Sequence, residues 1–158
     1  MAFCAWLPKK LDGVVPSAQN RVMYEVFEHT ADLGLRVRAS SLDQLFTDAA
    51  KGLLSMFVAN PESVRSVRIQ QVELTADSLD LLLVDWLSEI LFLFDVEGML
   101  LSRFSVRVRQ QHLVAECSGE AVDGRRHELD HEVKAITYHN LILEQAESGW
   151  RAEVIVDI

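Results

Sequence analysis

Near the end of the chain, "HEVKAITYHN" (131–140) gathers Lys134, Thr137, Tyr138 and His139 within six positions. These groups could move protons or contact an anion. In an extended strand, however, Lys134 and Tyr138 share one face while Thr137 and His139 share the other. A single catalytic cluster therefore needs the segment to bend. Taken alone, Lys134 reads as a solvated side chain, a charge compensating nearby carboxylates, or a contact for an anionic partner group.

A second candidate is "EHTADLG", which puts His29 and Asp32 on or beside a tight turn. An Asp there commonly bonds its own backbone, and a His can simply pack at a strand end. The chain ends on Asp157-Ile158 directly after an alternating strand, so a terminal carboxylate would stand beside the Asp157 carboxylate. Two such anions repel and call for a cation or a Lys. Were Asp32 to approach as well, three hard oxygen donors would suit Ca²⁺ or Mg²⁺ better than zinc. Spacing alone does not bring Asp32 to Asp157.

His127 and His131 have H-x3-H spacing, which on a helix could hold zinc. Their context, "RRHELDHE", lacks an apolar stripe and reads as a solvated charged loop. No G-x-S-x-G, glycine-rich phosphate loop or cysteine-nucleophile motif occurs.

The elements that must position these residues follow from periodicity. Leu33, Leu35 and Val37 alternate with Gly34, Arg36 and Arg38, predicting a strand after the "HTAD" turn. Ser41 and Gln44 form an S-x-x-Q capping box, and Leu42 to Phe57 carries helical spacing until Asn60-Pro61. "VRSVRIQQVELTA" changes phase, which predicts a bulge near Gln70-Gln71. Asp77 or Ser78 starts a second helix that runs to about Asp95, with Gly98 at its end. Four strands follow: Phe104–Val108, Leu113–Cys117, "AITYHNLILE" and "WRAEVIVDI", the last two joined by "AESG". The layout is α+β, with two helices packed on antiparallel sheet.

At 158 residues the chain suits one domain, with residues 1–22 a poorly ordered appendage and the domain starting near Met23. A net charge of −9 argues against direct nucleic-acid binding, which needs a basic face. It favours a basic protein partner or a cation. Cys4 and Cys117, without a CxxC pair, fit a reducing cytosol. The apolar run "LDLLLVDWLSEILFLF" carries Asp80, Asp85 and Glu89 and falls short of the roughly 20 apolar residues of a membrane helix. A cytoplasmic protein is expected.

From "YEVFEHTADLGLRV" through "SLDQLFTDAAKGLLSMF", "LLLVDWLSEILFLFD", "EVKAITYHNL" and "WRAEVIVDI", the chain resembles the archease family over residues 23–158. The resemblance implies two strand-helix-strand-strand modules, one inserted into the other. It also implies an accessory protein, not an enzyme, that helps the GTP-dependent tRNA-splicing ligase guanylylate its own histidine and turn over repeatedly. A divalent-cation site comes with it, described with calcium, although magnesium or manganese would also suit. Its ligands here would be Asp32, Asp157 and the terminal carboxylate of Ile158. Lys134, His139 and His29 take a supporting role in activating the partner. Two rivals stand beside this reading: a small metal-dependent hydrolase of a phosphate-containing substrate, and a scaffold whose cation is structural.

Overall fold

The computed structural model describes residues 23–158; the appendage expected over 1–22 lies outside the described residues. Strands β1 (Tyr24–His29) and β2 (Asp32–Ala39) form a hairpin, followed by α1 (Leu42–Phe57) and a short 3-10 helix (Pro61–Ser63). Then come β3 (Arg68–Thr75), α2 (Leu79–Asp95), β4 (Met99–Arg109) and β5 (His112–Ala121). The chain closes with β6 (Ala135–Ile136), β7 (Ile142–Ala146) and β8 (Gly149–Asp157).

The strands are antiparallel and divide into two sheets. One runs β1-β2-β8-β6, with β7 also paired to β8; the other runs β3-β5-β4. The unit β3-α2-β4-β5 is thus inserted between α1 and the strands that return to β2. In both units the last strand pairs between the first and the second: β2-β8-β7 in one, β3-β5-β4 in the other. The expected modular insertion is present, although the residues show no repeat.

Ser41 caps α1, its hydroxyl accepting the Gln44 amide at 3.2 Å. The reciprocal half of the capping box is not made, because the Gln44 side chain donates to Asp48 Oδ1 instead, at 2.9 Å. Each helix touches strands of both sheets, which is why α2 is apolar around most of its circumference. The fully buried Trp86 of α2 donates its indole N–H to the Phe46 carbonyl of α1 at 2.9 Å. Phe57 and Phe94 stack at 4.5 Å between ring centroids. Among the described residues no helix is long and apolar enough to cross a membrane.

Three expectations are corrected. β3 pairs with β5 without a shift from Arg68–Gly119 to Thr75–His112, so there is no bulge at Gln70-Gln71. The phase change arises because Val67 and Ile69 face solvent, at 69% and 68% exposure. The bulge lies instead in β4, between Leu101 and Arg103. "AITYHNLILE" is not one strand: β6 and β7 pair with the same strand, β8, but are separated by a bend at Thr137–Leu141. The loop carrying His127 is not wholly solvated, since His127 is buried.

Candidate metal centre

The hairpin and the last strand bring the two ends of the domain together. β1 pairs with β2 down to His29–Asp32, and β2 pairs with β8 up to Leu33–Val156. Asp32 and Asp157 are the next residues beyond that last pair, at one end of the two strands, and β6 pairs Ala135 with Asp157 from the other side. The pairs His29–Asp32 and Ala135–Asp157 therefore flank the same end of the β2–β8 seam. Directly opposed residues on antiparallel neighbours have Cα atoms about 4.5–5.5 Å apart. Strand alternation sends Leu33, Leu35, Val154 and Val156 into the core, so Asp32 and Asp157 point to the opposite side of the sheet.

Local chemistry sets the edges of this end of the sheet. Thr30 turns the hairpin with φ of 52°, a left-handed value unusual for a β-branched residue. Its hydroxyl donates to the His29 carbonyl at 2.7 Å and lies 3.5 Å from His29 Nδ1. On the other side of Asp157, the Lys134 amide donates to the Asp157 carbonyl at 2.8 Å. The Lys134 side chain is exposed and makes no ion pair with a described residue. Ile158 packs its partly buried side chain against the core, which anchors the backbone that follows Asp157.

The bend between β6 and β7 interrupts the strand alternation of "KAITYH" without gathering Lys134, Thr137, Tyr138 and His139 at one point. From Ile136–Val156 to Ile142–Glu153, six residues advance against three, so three extra residues bulge outward. Thr137 clasps the bulge: its N–H and hydroxyl both donate to the Ile155 carbonyl, at 3.0 and 2.8 Å. The same hydroxyl accepts the His139 amide at 3.3 Å. Asn140 takes the left-handed φ of 50° that closes the bend. The His139 ring thereby lies 6.0 Å from that of His29, tilted by 59°. Tyr138 points to solvent at 60% exposure.

The donor set fits a hard divalent cation only in part through side chains. Among the described residues no three His, Cys, Asp or Glu side chains converge on one point. The side chains at this end of the sheet that could hold such an ion are the carboxylates of Asp32 and Asp157. Two hard oxygens with no thiolate match calcium, magnesium or manganese rather than a zinc site.

A different polar cluster escaped sequence reasoning. His127 is 3% exposed; its Nδ1 accepts the Asp123 amide at 2.9 Å, so Nε2 carries the proton that meets Glu120 Oε1 at 2.9 Å. Arg126 reaches Glu120 Oε2 at 2.6 Å, and the Arg65 amide donates to Oε1 at 2.8 Å. Arg126, with the Arg65 amide and His127, holds the Glu120 carboxyl down to about 2. His131 does not join this cluster and sits beside Asp130 at 3.4 Å. The H-x3-H spacing thus belongs to a buried clasp and a surface residue. Glu120 joins Arg126 and His127 of the following loop to the Arg65 amide, 55 positions upstream, a meeting that leaves no periodic sequence signal.

The Archease protein family (MTH1598/TM1083) model matches residues 24–158. Protein archease of Methanosarcina mazei is 36% identical over 140 residues, covering 85% of this chain and 95% of the relative. Protein archease of Pyrococcus abyssi is likewise 36% identical over 140 residues, covering 85% of this chain and 98% of the relative. The solution structure of Methanobacterium thermoautotrophicum protein 1598 superposes with a TM-score of 0.75 at 30% identity, over 87% of this chain and all of that one. A Thermotoga maritima crystal structure, named as an archease and possible chaperone, shares the fold with a TM-score of 0.59 at 21% identity, over 86% of this chain and 98% of that one. With a family match spanning the whole described domain, this chain belongs to the archease family.

Proposed function

We propose that this protein is an accessory factor, not itself a ligase, that activates the GTP-dependent RNA ligase of tRNA splicing in the cytoplasm. The observation that supports the reading is that strand pairing brings Asp32 and Asp157 to one end of the β2–β8 seam, where the His29 and His139 rings lie 6.0 Å apart. Asp32, Asp157 and the Ile158 carboxylate would hold one divalent cation, calcium in the first instance. When bound, the cation supplies positive charge at an otherwise acidic corner.

The chain's own residues have distinct tasks. Asp32 and Asp157 present oxygen donors from two adjacent central strands, where pairing limits their movement. Thr137 keeps the bulge closed so that the His139 ring stays beside that of His29, and Lys134 offers a cation to an anionic group of the partner. The net charge of −9 steers encounter toward a basic nucleotide pocket and away from RNA. Activation then amounts to stabilising a ligase conformation competent for guanylylation. The possible-chaperone name of the Thermotoga maritima relative agrees with a role exerted through a partner protein.

Guanylate labelling of purified ligase, with limiting ligase and either wild-type protein or Asp157→Ala, tests the reading. Wild type should raise labelling and permit repeated turnover, and Asp157→Ala should lose most of that gain while remaining folded. Equal labelling with and without the wild-type protein would refute it.

A further inference from the structure

The inserted module leaves one face of its sheet bare. On β5, the central strand, Leu113, Ala115 and Cys117 point into the core, so Val114, Glu116 and Ser118 point the other way. Register sets Ile69 and Arg103 on either side of Ser118, and Glu73 and Arg107 on either side of Val114. Val67, Ile69 and Arg103 line one shallow depression of about 500 Å³. Three aliphatic side chains are exposed here: Val67 at 69%, Ile69 at 68% and Val114 at 43%.

The charges on this face are sorted. Glu116 accepts the Gln71 side-chain amide at 2.9 Å, and Glu73 meets His112 at 2.8 Å, so both acids are engaged by neighbours on β3 and β5. Arg103 and Arg107 of β4 are exposed and form no ion pair with a described residue, whereas Arg109 is held by Asp43 at 3.2 Å. In a chain of net charge −9, two unpaired arginines beside aliphatic groups reverse the sign locally. Exposed apolar area next to arginine, without lysine, has the composition of a protein-binding surface.

These features select among occupants. Single-stranded nucleic acid uses aromatic platforms for its bases, and this face offers aliphatic groups. Residues 1–22 carry Lys9, Lys10 and Arg21 against Asp12 alone, the wrong sign to meet arginines. A strand added to the β3 edge would stand three strand spacings, about 14 Å, from the β4 arginines. A segment lying across the face reaches the arginines and the aliphatic groups together. It finds no main-chain partners there and must satisfy its own, as a helix does. We propose that the outer face of the β3-β5-β4 sheet docks an acidic amphipathic helix of a partner protein. The apolar stripe of that helix lies on Val67, Ile69 and Val114, and its carboxylates meet Arg103 and Arg107.

Titration of the full chain with a synthetic amphipathic helical peptide of leucine, alanine and glutamate, followed by amide NMR, tests this. Saturable shifts are expected at Ile69, Val114 and Ser118, and none at His29 or Asp32. Replacing every glutamate of the peptide by lysine should abolish them. Arg103→Gln combined with Arg107→Gln, exposed changes that leave the core intact, should weaken binding about tenfold through the loss of two ion pairs. Ile69→Ser should weaken it as well, through lost apolar contact. Absence of saturable shifts in the wild-type protein, or equal affinity for the glutamate and lysine peptides, would overturn the proposal. Shifts of the same amides by oligouridylate would overturn it in favour of RNA, and shifts on raising the protein concentration alone would do so in favour of a second copy. None of these outcomes depends on the ligase or on the metal site.

Discussion

Asp32 and Asp157, 125 positions apart in sequence, lie at the same end of adjacent central strands, each the next residue beyond the Leu33–Val156 pair. With no cation between them, two carboxylates so placed repel each other. Added Ca²⁺ should therefore raise the melting temperature by several degrees, since a ligand at 100 times its dissociation constant stabilises by about 2.7 kcal/mol. Asp32→Asn and Asp157→Asn should each abolish the Ca²⁺-dependent rise. A rise that survives in either variant would remove that residue from the site.

Thr137→Val keeps the side-chain shape but deletes the hydroxyl that bonds Ile155 and His139. The expected cost is about 1 kcal/mol, together with loss of the close approach between the His29 and His139 rings. A nuclear Overhauser contact between those rings in the wild type, missing in the variant, is the readout. Ligase activation should fall further than the stability loss explains.

Gly119→Ala should be severely destabilising. A Cβ there would lie 1.8 Å from the Leu100 carbonyl oxygen and 2.7 Å from Leu101 Cα, at the β4 bulge. Because the obstruction is backbone, relief requires the bulge to move, at about 3 kcal/mol. Urea unfolding should show a lower midpoint; an unchanged one would mean the bulge relaxes freely.

Glu120 links stability to acid. Its carboxyl is held down to about 2, first by Arg126 and then by the Arg65 amide, with a further bond from His127, against about 4.3 for an unfolded Glu. The depressed value means its contribution is complete above the unfolded pKa and disappears as pH falls toward about 2. Glu120→Gln should lower stability at neutral pH and flatten the acid-unfolding curve across that window. A variant as steeply acid-sensitive as wild type there would contradict the assignment.

Cys117 is fully buried, and burial, with Glu116 nearby, pushes its thiol up to about 12. The reactive thiolate is then scarce at neutral pH. Iodoacetamide should leave the Cys117 peptide unmodified in the folded protein and label it readily in urea, as read by mass spectrometry.

Much of the architecture follows from local pattern. Alternation in Leu33–Val37, the Ser41 cap, the apolar stripe of α1 and Gly98 after α2 all act within a few residues, so periodicity and backbone preference suffice to expose them. The exposed Val67 and Ile69 misled the same reasoning, because apolar character alone does not say which face of an edge strand meets the core. The motifs "HTAD", "VKAITYH" and "DI" pointed to the family and to Asp32, Asp157 and Ile158. Their juxtaposition depends on β8 inserting beside β2 after an entire module has intervened.

Tertiary structure alone decided the rest. Whether His139 could join His29 turned on three extra residues between β6 and β7, a register count visible only against β8. Whether His127 was solvated turned on Glu120, Arg126 and the Arg65 amide meeting over it. Sequence determines which donors and acceptors a chain owns and how short segments prefer to coil. Burial and long-range pairing decide which of those groups lose water, and only groups that have lost water must find each other.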